Sequence, residues 1–104
     1  MHTLDQLAQT IADRATANPN SSWTAKLLAK GPAKCAEKFG EEAVEAVIEA
    51  VKGDKTALTN EAADVLYHLL VMLQSRDVTL ADVLAELDAR QHQSGLAEKQ
   101  SRNP

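Results

Sequence analysis

Residues 57–73 are apolar on nearly every side of a helical wheel, with Leu58, Ala62, Val65, Leu66, Leu69, Leu70, Val71, Met72 and Leu73 surrounding one main polar stripe of Glu61, Asp64 and His68. A helix of this kind needs cover on most sides. Ionised groups inside it must be paired or bound to metal. With 104 residues, the chain has a modest core, or half of a core that a second copy completes.

The preceding segment supplies the first partner. It is amphipathic: Lys38, Glu42, Glu45 and Glu49 fall within roughly 60° of arc, and Ala36, Phe39, Ala43, Val47 and Val51 lie on the other side. Residues three apart share a helix face, so Glu42 with Glu45 and Glu61 with Asp64 form two carboxylate claws. If the chain reverses at Gly53, Glu45 and Glu61 each lie eight residues from the turn, and Glu42 and Asp64 each lie eleven from it. At about 1.5 Å per residue, an antiparallel hairpin sets the claws at the same height.

Two unit charges about 6 Å apart repel by roughly 3 kcal/mol at an effective dielectric of 20, so six pairs among four carboxylates could exceed about 10 kcal/mol. That rivals the roughly 5–15 kcal/mol stability of a whole domain. A cation is the simplest remedy, and an all-oxygen donor set suits Mg²⁺, or Mn²⁺, better than zinc. Di-iron carboxylate bundles use Glu-x-x-His, but the positions three after Glu45 and Asp64 hold Ile48 and Tyr67.

The rest of the chain reads as shorter helices. Thr3-x-x-Gln6 has the form of a capping box and opens a helix to about residue 17. Ser22 or Thr24 can cap a second helix carrying Trp23, Leu27 and Leu28, which Gly31-Pro32 ends. Lys52-Gly53 closes the third, Asp54 or Thr56 opens the fourth, and Thr79-x-x-Asp82 begins a fifth. No strand-like alternation interrupts them. The expected fold is all-α: two long antiparallel helices plus shorter ones, paired with a second copy into a dimeric four-helix-bundle core. Residues 1–91 form the expected domain, and residues 92–104 an expected disordered polar tail.

A net charge of −4 offers no electrostatic footprint for nucleic acid or an anionic membrane surface. The start shows no signal peptide, and the apolar run 69–73 is far too short to span a bilayer. Cys35 is alone, which excludes an intramolecular disulfide and fits a reducing, cytoplasmic setting. It reads as a small residue near a helix start rather than a catalytic thiol.

Several residues carry two readings. Glu41 is a group behind the ligands, a water-activating base, or merely exposed; Glu49 extends the stripe with a surface role. His68 is a hydrogen-bond partner of a ligand or a buried structural histidine. Lys38 is an intrahelical ion-pair partner of Glu42 or, with Lys34, Lys30 and Lys26, a cation beside polyphosphate. Trp23 stacks on a base or plugs one end of the bundle.

With these residues placed, the chain resembles the phosphoribosyl-ATP pyrophosphatases of histidine biosynthesis, within the MazG-like all-α nucleotide pyrophosphohydrolases. The superfamily signature is Glu41-Glu42-x-x-Glu45 with Glu61-x-x-Asp64. The narrower likeness lies in Ser22-Trp23-Thr24-x-x-Leu27 ahead of Gly31, in Lys38-x-Gly40-Glu41-Glu42, and in Ala63-Asp64-x-Leu66-Tyr67-His68-Leu69-Leu70-Val71. Position 23 is more often tyrosine in the family. Length and cysteine content match a stand-alone form without a fused cyclohydrolase domain. The resemblance implies Mg²⁺-dependent hydrolysis of 1-(5-phosphoribosyl)-ATP to 1-(5-phosphoribosyl)-AMP and pyrophosphate. The site itself points to Mg²⁺ held by Glu42, Glu45, Glu61 and Asp64, with Glu41 or a ligand carboxylate such as Glu42 as the base and Lys38 catalytic beside the phosphates, joined by Lys34; the resemblance implies a substrate-binding segment of Ser22, Trp23, Thr24 and Lys26. The rival readings are a house-cleaning nucleoside triphosphate pyrophosphohydrolase and a non-catalytic helical interaction module.

Overall fold

The computed structural model describes residues 2–91, which form five helices and, among the described residues, no strand. They are α1 (Thr3–Arg14), α2 (Trp23–Lys30), α3 (Pro32–Lys52), α4 (Lys55–Gln74) and α5 (Leu80–Arg90). The tail expected to be disordered, 92–104, lies outside the described residues. No helix is long and apolar enough to cross a membrane.

Local chemistry sets the boundaries. The Ser22 hydroxyl accepts from the Ala25 N–H at 3.2 Å and caps α2. Pro32 occupies the first turn of α3, where its missing N–H costs nothing, and Gly53 ends that helix in the left-handed region at φ 81°. Asp54 caps α4 through the Ala57 N–H at 3.0 Å. Thr79 and Asp82 form a reciprocal capping box on α5. The first helix departs from expectation. Thr3 is already helical, so its hydroxyl cannot cap; the His2 imidazole instead accepts from the Leu4 N–H at 3.0 Å. The helix also ends at Arg14, before a turn.

Two residues, Gly53 and Asp54, join α3 to α4, and this pair makes the most extensive contact between elements. The core lies toward the opposite end of the pair, where Ile11, Leu27, Cys35, Leu70 and Val71 are buried together. Cys35 is sealed there, its thiol donating to the Leu27 carbonyl at 3.4 Å, and burial pushes its pKa up, which fits a packing role. Toward the turn the single chain leaves apolar surface open. Val47 is 61% exposed and Val51 83%, with Val44, Ile48 and Leu66 also exposed. Within α4 the buried residues, His68, Leu70 and Val71, all lie in its C-terminal half.

Candidate metal-binding site

Between the buried core and the open apolar end, α3 and α4 bring their acidic stripes together. Glu42, Glu45 and Glu61 each offer a carboxylate oxygen, and these atoms all lie within 4.8 Å of one another. Glu42 and Glu45 share a face because they are three apart on α3; Glu61 meets them from α4. Asp64 stands outside this trio but near enough that its charge acts on both Glu42 and Glu61.

The electrostatics are those of crowded like charges. Partial burial, the adjoining Glu45 carboxyl, and the charges of Asp64 and Glu61 push the Glu42 pKa up to about 7. Glu61 is raised as well, chiefly by desolvation, then by Glu45 and Asp64. One Glu61 carboxylate oxygen is shielded from solvent and has no hydrogen-bond partner. A carboxylate oxygen hidden among other carboxylates is short of a cation. The donor set therefore fits a hard divalent ion, all oxygen and without a thiol.

The surrounding candidates divide. Lys38 pairs with Glu41 at 3.2 Å, one turn along α3, rather than with Glu42. Lys34 pairs with Glu37 at 3.3 Å, and Glu49 with Lys52 at 3.5 Å. His68 is buried with its Nδ1 unpartnered. Its pKa is lowered, above all by burial, with Lys38 adding to the shift and Asp64 and Glu41 opposing it. Trp23 opens α2 and is 51% exposed, so within one chain it plugs nothing. Lys26 is exposed one turn further on.

One further link joins α2 to α4 that no motif in the sequence marks. The hydroxyls of Thr24 and Tyr67 lie 2.5 Å apart in a partly buried hydrogen bond between α2 and α4. A tyrosine in so apolar a helix carries a polar end that has to find a partner, and that was the available signal. A separate cleft of about 420 Å³ among α1, α4 and α5, bordered by Asp5, Gln9, Leu73 and Thr79, contains none of the acidic cluster.

Residues 4–91 match the family model described as phosphoribosyl-ATP pyrophosphohydrolase. The chain belongs to that family. Among curated relatives, the phosphoribosyl-ATP pyrophosphatase of Roseobacter denitrificans is 75% identical over 96% of this chain and 95% of its own length. The proteins of the same name from Dinoroseobacter shibae and Paracoccus denitrificans are 72% and 71% identical, covering 98% and 95% of this chain and 100% and 92% of theirs. As a phosphoribosyl-ATP pyrophosphohydrolase family member, the chain carries its acidic cluster within the matched region.

Proposed function

We infer that this chain hydrolyses 1-(5-phosphoribosyl)-ATP to 1-(5-phosphoribosyl)-AMP and pyrophosphate in histidine biosynthesis, acting in the cytoplasm with Mg²⁺ as cofactor. The observation that carries the reading is the meeting of Glu42, Glu45 and Glu61 within 4.8 Å, in a chain so similar to proteins named for that activity. Residues 1–91 are the pyrophosphohydrolase domain.

Glu42, Glu45, Glu61 and Asp64 would hold the ion, with Mn²⁺ able to substitute. A divalent ion held there would supply neutralisation of charge on the phosphate oxygens and activation of a water nucleophile for cleavage of the α–β linkage. Ligation requires the deprotonated carboxylate, so Glu42, whose pKa desolvation and the neighbouring carboxylates push up to about 7, would have to be ionised to serve as a ligand. Lys38 meets the phosphates as a point charge. Glu41, exposed and paired with Lys38 beforehand, or one of the ligand carboxylates, takes the proton of the attacking water. Trp23, Lys26 and Lys34 contribute the substrate-binding surface, and His68 backs the ligands from α4.

The active form in this reading is a homodimer. The two long antiparallel helices α3 and α4 pair with their copies into a four-helix bundle, covering Val44, Val47, Ile48, Val51 and Leu66. An apolar row of that length on two adjoining helices is otherwise left in water.

The test compares turnover of phosphoribosyl-ATP with that of a panel of nucleoside triphosphates, including dUTP and dCTP, in Mg²⁺. Strong preference for phosphoribosyl-ATP is expected, with pyrophosphate as product. Equal or faster turnover of the triphosphates would overturn the assignment.

A further inference from the structure

Tyr67 has its two ends fixed by different neighbours. Its ring packs against the buried core cluster and stands nearly perpendicular to the His68 imidazole, with centroids 4.9 Å apart and planes at 78°. Its hydroxyl reaches Thr24, 43 residues earlier in the chain. Tyr67 follows Asp64 by three residues and Glu61 by six on α4, within two turns of the acidic cluster. Thr24 is the second residue of α2, directly after Trp23.

The first turn of α2 is capped locally by Ser22, and the Thr24–Tyr67 bond ties it to α4. Eight residues are too few for a helix to hold itself in water, and Ala25 and Leu27 bury its middle while Trp23 and Lys26 face outward. We propose that the Tyr67 hydroxyl, through Thr24, is a positioning group that holds the substrate-facing start of α2 in fixed relation to the carboxylates of α4. The Thr24 hydroxyl is thereby committed to Tyr67. The inference rests on the substrate assigned above, with Trp23 meeting its base, and it adds a residue that touches neither ion nor substrate.

Tyr67→Phe keeps the ring and its contact with His68 and removes only the hydroxyl; Thr24→Val does the same from the other side. Losing one net hydrogen bond corresponds to about a three- to tenfold effect. Each variant is expected to raise KM for phosphoribosyl-ATP by that factor while kcat and the Mg²⁺ midpoint stay within about twofold. The double variant should be no worse than the poorer single one, because both remove the same bond. Thr24→Ser, which restores a hydroxyl, should recover most of the lost KM. Trp23 is the sole tryptophan, so acrylamide quenching of its fluorescence reports on the start of α2 without any turnover. Quenching should increase in Tyr67→Phe and Thr24→Val and return toward wild type in Thr24→Ser. Unchanged KM and quenching, additive losses, or a serine variant as impaired as the valine one would overturn the proposal. A wild-type protein that fails to cleave phosphoribosyl-ATP would instead remove the substrate assignment, leaving the quenching series to judge the strut alone.

Discussion

Glu45 and Glu61, each eight residues from Gly53 along the chain, place carboxylate oxygens within 4.8 Å of each other across the contact between α3 and α4. Among the described residues no ion pair reaches either carboxylate: Lys38 pairs with Glu41 and Lys34 with Glu37. Like charges so close tax the fold unless a metal ion joins them.

Glu61→Gln therefore separates catalysis from folding. Turnover should fall on the order of 10²–10³-fold, the scale of losing one group that stabilises transition-state charge. The metal-free protein should melt at a higher temperature than wild type, with the same far-ultraviolet helical signal, because one member of the repelling cluster is neutral. Unchanged turnover would take Glu61 out of the site.

The raised Glu42 pKa sets a pH dependence. Folding tightens the hold of Glu42 on its proton, so its contribution to stability is intact below about 4.5 and is lost as pH rises through about 7. His68 works in the opposite sense: burial lowers its pKa, so stability is lost as pH falls below 6.5. Comparing metal-free wild type with Glu42→Gln isolates the first effect, since both retain His68. The wild-type melting temperature should decline relative to Glu42→Gln between about pH 4.5 and about pH 7, and millimolar Mg²⁺ should remove the difference. Parallel curves would contradict the assignment of Glu42 to the cluster.

Asp77 sits at φ 58°, the sole non-glycine residue with positive φ among the described residues. It follows the end of α4, where the Val78 N–H donates to the Leu73 carbonyl at 3.0 Å and the Asp77 N–H to the Gln74 carbonyl at 3.1 Å. Glycine suits that position, so Asp77→Gly should stabilise the protein by about 0.5–1 kcal/mol in urea unfolding. Asp77→Val should destabilise it by about 1–2 kcal/mol.

The open apolar row predicts assembly. Sedimentation should give wild type twice the 11.2 kDa chain mass, and Val47→Glu combined with Val51→Glu should shift it toward the monomer. A wild-type monomer would remove the four-helix-bundle reading.

Much of this was legible in the residues themselves. With Glu45 and Glu61 each eight residues from Gly53, the meeting of Glu42 and Glu45 with Glu61 was readable from spacing, whereas Asp64, eleven residues from that turn as Glu42 is, stands outside the trio; Gly31-Pro32, Gly53 and Asp54 dictated the helix boundaries. What escaped depended on tertiary placement. Lys38 lies within reach of both Glu41 and Glu42, and only the side-chain directions on α3 select Glu41. Thr24 and Tyr67 are brought together by the packing of α2 on α4, which no local pattern encodes. Thr3 looked like a cap by spacing, but the chain enters α1 one residue earlier and His2 takes the role.

The most direct measurement is a crystal structure of the protein soaked with Mn²⁺, recorded at the manganese absorption edge. An anomalous peak bounded by the carboxylates of Glu42, Glu45, Glu61 and Asp64 is expected, lost in Glu61→Gln. A peak elsewhere, or none beside these four side chains at a concentration that supports turnover, would contradict the metal-site assignment.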